Sequence, residues 1–309
     1  MKRHRRRYIR SVNMAQFSQK NIEVDGLTLH TESFGNITNP ACVLIAPKQA
    51  TARFWTGAFC TSIADQEFFV IRYDHRDVGE SSEIDWQKEP YTMSDMAQDA
   101  ISIMNGYGIK QAHFVGNSMG GWICQQIGVD YPDRILSLTI ISAGPLEITD
   151  AAASLTAEEQ QIMDNTLQMF IARKDGATLE DTVQSYLPIW RHCNGDVPCD
   201  DEMAKNFTKD FLTRTTHKHA GQNHELMMGQ FLATMKPLTA LQKIDRPTLV
   251  IYGDKDPVVP PRCEKSVADA IPGAKLVMIK GMGHTMFNRD LEKAIATMVV
   301  EHMKAKKTA

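Results

Sequence analysis

Gly116-Asn117-Ser118-Met119-Gly120-Gly121 follows the apolar run Ala112-His113-Phe114-Val115 and precedes the apolar-periodic run from Trp122 to Tyr131. This order predicts a short strand, a tight turn and a helix, with Ser118 at the apex of the turn. A serine hydroxyl is a weak nucleophile until a base removes its proton. A G-x-S-x-G turn between strand and helix holds Oγ clear of the backbone, where a histidine can reach it. The flanking glycines are needed because a side chain there would collide with the turn. The helix behind the serine aims free N–H groups and its positive dipole end at the place where an oxyanion would form. The pattern requires a histidine and an acid elsewhere in the chain.

Both occur downstream. Pro247-Thr248-Leu249-Val250-Ile251-Tyr252 is a short β-branched, apolar run ended by turn residues, which predicts a buried strand. It runs into Gly253-Asp254-Lys255-Asp256-Pro257-Val258-Val259-Pro260, and a carboxylate just past a strand end is placed to orient an imidazole. The next strand, Lys275-Leu276-Val277-Met278-Ile279, is followed by Gly281-Met282-Gly283-His284. The order Ser118, Asp256, His284 is that of the α/β-hydrolase triad and differs from the orders of the two serine-protease folds.

On these residues the chain resembles the α/β-hydrolase superfamily from about residue 20 to residue 305. The resemblance implies a mainly parallel eight-stranded sheet with helices on both faces and a helical cap inserted after strand six. The family's acid usually stands three residues after the strand-end glycine, a position that Asp256 matches and Asp254 does not. Ile71-Arg72-Tyr73-Asp74-His75-Arg76-Asp77-Val78-Gly79-Glu80-Ser81 looks like the family's D-x-R-G-x-G-x-S segment, with Asp77 in place of the usual glycine. That variant is similar to a subgroup that includes the anthracycline methylesterases. Gly-Asn-Ser-Met-Gly-Gly is similar to the turn of the carbon–carbon bond hydrolases that cleave ring-fission products. The two likenesses imply different substrates.

One segment departs from the family. His-Gly commonly follows its third strand, where a backbone N–H completes the oxyanion hole. Here Ala41-Cys42-Val43-Leu44-Ile45 runs into Ala46-Pro47-Lys48-Gln49. Pro47 has no N–H to give. The family's donor position maps to Lys48, so the expected oxyanion donors are the Lys48 and Met119 N–H groups. Lys48 is otherwise a solvated loop lysine, or an ammonium within reach of an acidic substrate.

Composition fits a globular enzyme: 309 residues with 43% apolar content. The net charge of −3 conceals an asymmetry. Lys2, Arg3, Arg5, Arg6, Arg7 and Arg10 leave 34 − 6 = 28 basic against 37 acidic side chains in the rest, a net of −9. An acidic body argues against nucleic acid as the main partner. The basic arm suits a nucleic-acid or membrane-surface tail, or an unstructured extension from an upstream start codon, since Met14 begins a sequence that looks like a complete hydrolase. No apolar h-region follows it, and no stretch approaches 18 consecutive apolar residues, so neither a secretory signal nor a membrane span is expected. The six cysteines lack a pairing pattern and are expected as free thiols in the cytoplasm. His192-Cys193 and Cys199 lack the C-x-x-C pair of a zinc site.

The domain plan is therefore a basic arm over 1–19, a hydrolase core over 20–144 and 238–309, and a helical cap over 145–237. A hairpin is expected over Asn21–Glu32 with its turn at Asp25-Gly26, strands at Cys42–Ala46, Phe68–Tyr73 and Leu136–Ser142, and helices near Ala52–Asp65, over Thr92–Gly106 with Ser94 as cap, and over Leu291–Lys304. Between Ala143 and Leu241 the alternation stops and helices are expected at Ala157–Ala172, Thr178–Trp190, Asp200–Arg214 and His224–Met235. Met163, Met169, Met203, Met227, Met228 and Met235 are candidates for an adaptable apolar pocket or for ordinary packing. His192, His217, His219 and His224 are read as solvent or capping residues. Trp122 and Trp190 are open between pocket and core.

The expected activity is cleavage of a carboxylic ester of a small, largely apolar substrate through an acyl-enzyme on Ser118. It needs no metal or organic cofactor, and a homodimer is left open. Carbon–carbon bond hydrolysis and cofactor-free perhydrolysis would use the same triad. Non-catalytic ligand receptors of this fold are the alternative from another class, against which the intact Ser118, Asp256 and His284 argue. Haloalkane dehalogenation is disfavoured, because the nucleophile position holds serine rather than aspartate.

Overall fold

Asp25 and Gly26 both take positive φ, 47° and 85°, as a two-residue hairpin turn demands. They join β1 (Phe17–Val24) to β2 (Leu27–Phe34). The fold comes from a computed structural model that describes residues 16–146, 155–215, 220–233 and 239–305. The first strand begins at Phe17, paired with Phe34, and so reaches three residues into the stretch read as a basic arm over 1–19. The charged residues of that arm, together with His217, His219 and Met235, lie outside the described residues.

The chain then alternates as β3 (Ala41–Ile45), α1 (Gly57–Ala64), β4 (Phe69–Tyr73), α2 (Met93–Gly106), β5 (Ala112–Asn117), α3 (Met119–Asp130) and β6 (Ile135–Ile141). The single helix expected near Ala52–Asp65 is broken into a 3-10 turn, Ala52–Phe54, and α1. The break comes at Thr56, whose hydroxyl accepts the Phe59 N–H and starts a new helix. Thr92 rather than Ser94 caps α2, in a reciprocal capping box with Asp95. Four helices follow: α4 (Ala157–Ala172), α5 (Leu179–Cys193), α6 (Asp201–Arg214) and α7 (Ala220–Ala233). The last part is β7 (Thr248–Gly253), α8 (Pro261–Ala270), β8 (Lys275–Ile279) and α9 (Arg289–Lys304).

The eight strands form one sheet in the order β1-β2-β4-β3-β5-β6-β7-β8. β1 and β2 are antiparallel, β2 meets β4 antiparallel, and β4 through β8 run parallel. The central parallel strands are covered on both faces, so β3, β4 and β5 are buried along their whole length, whereas the edge strand β8 is largely exposed. Met96, Ile103, Ile123, Ile127 and Val267 from α2, α3 and α8 pack on one face. Phe59, Ile63, Ile295 and Val299 from α1 and α9 pack on the other. No helix among the described residues is long and apolar enough to cross a membrane.

This topology gathers the carboxyl ends of the parallel strands at one edge, where an open α/β sheet binds its ligands. Ser118 follows β5, Asp256 follows β7 and His284 follows β8. The helices between β6 and β7 are tied over that edge by charge. Arg214 of α6 pairs with Asp74 and Glu80 beyond β4, and Asp210 of α6 pairs with Arg53.

Candidate active site

Ser118 has φ 54° and ψ −120°, a strained conformation for a residue with a side chain. Its N–H donates to Ile141 O at 2.9 Å, which locks the turn to β6. A Cβ on Gly116 would lie 2.0 Å from Gly120 O, and one on Gly120 would lie 2.2 Å from Ile45 O. Neither position tolerates a side chain, so both glycines that the motif demands have a steric cause.

Ser118 Oγ lies 2.9 Å from His284 Nε2, and His284 Nδ1 lies 2.7 Å from Asp256 Oδ2. The other oxygen of Asp256 accepts N–H bonds from Val258 at 2.7 Å and Val259 at 2.8 Å. The Asp256 side chain is fully buried and that of His284 is 12% exposed. Asp254 instead accepts the Gly281 N–H and pins the loop that leads to His284. The two aspartates of the Asp254-Lys255-Asp256 segment thus divide into a loop brace and the histidine's partner.

The remaining predicted site residues, Lys48 and Met119, also lie at this edge. Pro47 and Lys48 line the same cavity as Ser118 and His284. Met119 is the first residue of α3, where backbone N–H groups have no intrahelical partner. Lys48 is not a free solvated lysine: its ammonium pairs with Glu225 of α7 at 2.6 Å. Asp77, in place of the usual glycine, sits at φ 69°; its carboxylate accepts the Ile84 N–H at 2.6 Å and the Tyr91 hydroxyl at 2.7 Å.

The cavity above Ser118 encloses about 480 Å³. Its walls are aromatic: Phe54, Phe170, Tyr186, Trp190, Phe207, Phe211 and Phe287. Tyr186 and Trp190 stack at 5.8 Å and 9°, and Trp190 Nε1 donates to Thr208 at 2.7 Å, so that ring is fixed in the wall. Of the two readings left open for the methionines, packing holds for those described: none of Met163, Met169, Met203, Met227 and Met228 lines this cavity. Met227 and Met228 pack in the core, and Met203 lines a neighbouring cavity of about 630 Å³ behind the Phe54, Phe207 and Phe287 rings. Trp122 lies at the core against Phe231. At the elbow, Asn117 is buried and lines the cavity, and its Nδ2 has no hydrogen-bond partner among the described residues. Those residues hold no group of three or more His, Cys, Asp or Glu side chains arranged for a metal ion.

Two buried polar groups near the site, His224 and Glu264, have no sequence signal. His224 is fully buried, against its expected place as a solvent or capping residue, and bonds to the backbone on both ring nitrogens. His192 donates to or accepts from Thr166 at 2.9 Å. Glu264 of α8 is fully buried and neither oxygen has a partner among the described residues. Burial first, then the charge of Asp256, pushes its carboxyl well above the ordinary value. A raised folded value means that the native state holds this proton while the unfolded chain releases it, so stability falls as pH rises above about 4.5. Glu264→Gln is expected to raise Tm at pH 8 by at least about 2 °C and to change it little at pH 4.5, read by thermal unfolding at both values. Equal effects at the two pH values would contradict a neutral Glu264.

A family model described as alpha/beta hydrolase fold matches residues 50–288. The chain belongs to the α/β-hydrolase family. Rhodomycin D methylesterase DauP of Streptomyces sp. (strain C5) is 31% identical over 300 residues, covering 92% of this chain and 97% of that protein. Rhodomycin D methylesterase DnrP of Streptomyces peucetius is 31% identical over 297 residues, covering 91% and 96%. The structure of the 2-hydroxy-6-oxo-6-phenylhexa-2,4-dienoate hydrolase from Rhodococcus sp. strain RHA1 superposes with a TM-score of 0.73 at 19% identity, covering 94% of this chain and all of that one. That likeness is one of fold. Within the family the chain falls in the methylesterase-like subgroup and is an esterase-type hydrolase.

Proposed function

We propose that this enzyme cleaves the methyl ester of a largely apolar, aromatic carboxylic acid through an acyl-enzyme on Ser118. The observation that carries the reading is the unbroken line from Ser118 Oγ to His284 Nε2 at 2.9 Å and from His284 Nδ1 to Asp256 at 2.7 Å. The aromatic cavity of about 480 Å³ supports an aromatic acyl group, and the methylesterase relatives support the methyl ester.

Asp256 accepts a hydrogen bond from His284 Nδ1–H, which keeps the ring proton on Nδ1 and leaves Nε2 free to take the proton of Ser118. Oγ attacks the ester carbonyl, and the tetrahedral oxyanion lies between the Met119 and Lys48 N–H groups. His284 returns the proton to the departing methanol. Water, activated by the same imidazole, then attacks the acyl-enzyme and releases the acid. The helices of residues 145–237 act as a cap that shapes the acyl pocket and limits water over the core of 20–144 and 238–309.

The Lys48 donor is a backbone group, so its side chain is dispensable for the chemistry. Lys48→Ala is expected to keep kcat within about threefold of wild type, because the N–H survives. Lys48→Pro removes the donor and is expected to lower kcat by about 10²–10³-fold. A large loss in Lys48→Ala would assign the ammonium to the reaction instead.

The Gly-Asn-Ser-Met-Gly-Gly turn and the Asn117 Nδ2 at the cavity, without a partner among the described residues, favour one second reading, hydrolysis of a carbon–carbon bond next to a ketone. Turnover of methyl benzoate-type and p-nitrophenyl esters, beside a ring-fission dienone acid, separates the two. Ester turnover supports the proposal. Turnover of the ring-fission product with no ester hydrolysis would replace it.

A further inference from the structure

The turn that carries Lys48 is built without the usual glycine. Gln49 sits at φ 63°, in the left-handed region that residues with a Cβ avoid. Within the turn, Ala50 N–H donates to Pro47 O at 3.2 Å. In a trans peptide the C=O and N–H point opposite ways, so this bond directs the Lys48 N–H away from Ala50. The peptides on either side are held from outside the turn, each by a histidine.

On the N-terminal side, His75 Nε2 bonds to Ala46 O at 3.0 Å. On the C-terminal side, Gln49 N–H donates to His224 Nδ1 at 3.0 Å. Because Nδ1 accepts, the His224 proton is on Nε2, which donates to Arg76 O at 3.0 Å. The two rings lie 5.9 Å apart at 74°. Burial drives both imidazoles toward the neutral form, His75 down to about 4 and His224 to about 3. The Nδ1 acceptor is therefore present throughout the neutral range. The same turn of α7 also holds the Gln49 side chain, through Gly221 O at 2.9 Å and Glu225 at 3.1 Å.

We propose that His224 of α7 is a positioning residue for the oxyanion hole: by accepting the Gln49 N–H it fixes the peptide next to Lys48 and so the aim of the Lys48 N–H. The inference rests on the esterase reading, in which that N–H binds the oxyanion. It makes one helix between β6 and β7 a structural part of the hole. Pro47 fixes its own φ near −65°, which leaves Pro47 ψ and the rotations at Lys48, and the Ala50–Pro47 and Gln49–His224 bonds together restrict these.

His224→Leu deletes the acceptor, and His224→Asn keeps an acceptor near the Nδ1 position. The readouts are kcat and KM on a short-chain p-nitrophenyl ester, and inhibition by a trifluoromethyl ketone, whose hemiketal oxygen needs the hole. His224→Leu is expected to lower kcat about 10²-fold with KM within about threefold, and to weaken the ketone by a similar factor. His224→Asn is expected to recover at least about tenfold of both losses. Should the leucine variant fail to fold by circular dichroism, His224→Gln, whose acceptor falls at the Nε2 position, takes its place with the same expected loss. A folded leucine or glutamine variant with wild-type kcat overturns the proposal. So do parallel losses in the asparagine and leucine variants, or a kcat loss without weaker ketone binding. A wild type that neither hydrolyses the ester nor binds the ketone overturns the esterase reading itself.

Discussion

Ser118→Ala is expected to lower kcat by at least about 10³-fold while leaving the fold intact. The loss follows from geometry. Oγ is the atom within hydrogen-bond reach of His284 Nε2, and no other hydroxyl is bonded to that nitrogen among the described residues. Without it the imidazole can activate only water, and the covalent route is lost. The Met119 and Lys48 N–H groups proposed as oxyanion donors and the aromatic cavity survive the change, so a residual rate above the uncatalysed one is expected. Stability is expected to change little. The strained φ of 54° is borne equally by alanine, and the Ser118 N–H bond to Ile141 O is a backbone bond. Steady-state kinetics with a p-nitrophenyl ester, beside a thermal melt, checks both halves. Near-full activity in a folded Ser118→Ala would remove the nucleophile from the account.

Asp256→Asn is expected to cost more, about 10⁴-fold in kcat, because it reverses the tautomer of His284. The Val258 and Val259 N–H groups both converge on one carboxylate oxygen. In asparagine that position must be filled by Oδ1, since an NH₂ there would oppose two donors. The NH₂ then faces His284 Nδ1 and forces it to accept. The ring proton moves to Nε2, where the Ser118 proton has to go. Asp254→Asn has no such consequence. It disturbs the bond to Gly281 N–H and is expected to cost about tenfold or less, mainly through loop order. Measuring the two variants side by side decides between the carboxylates. If Asp254→Asn is the crippled one, the acid has been misassigned.

The parts of this site that were legible in the sequence are those imposed by local geometry. Gly116 and Gly120 stand where backbone oxygens leave no room for a Cβ, so the elbow has a fixed spelling. Asp256 follows the buried strand β7 and His284 follows the exposed edge strand β8, and both strands show as short apolar, β-branched runs. What stayed hidden depends on contacts between distant segments. His224 lies 175 residues from Gln49, and nothing around it in the chain marks a buried acceptor. The aromatic wall draws Phe54, Trp190, Phe207 and Phe287 from four separate places, none with a local pattern that distinguishes pocket from core. Ser94 and Thr92 compete as caps two residues apart. Asp95 settles the choice because it stands third after Thr92 and returns the bond.

Covalent labelling reads the activation of Ser118 itself. Wild type and Ser118→Ala would be exposed to a fluorophosphonate, and the modified peptide located by mass spectrometry. One phosphonyl group per wild-type chain is expected, on Ser118, and none on the variant. Labelling of another residue, or an unlabelled wild type that is folded, would contradict an activated Ser118.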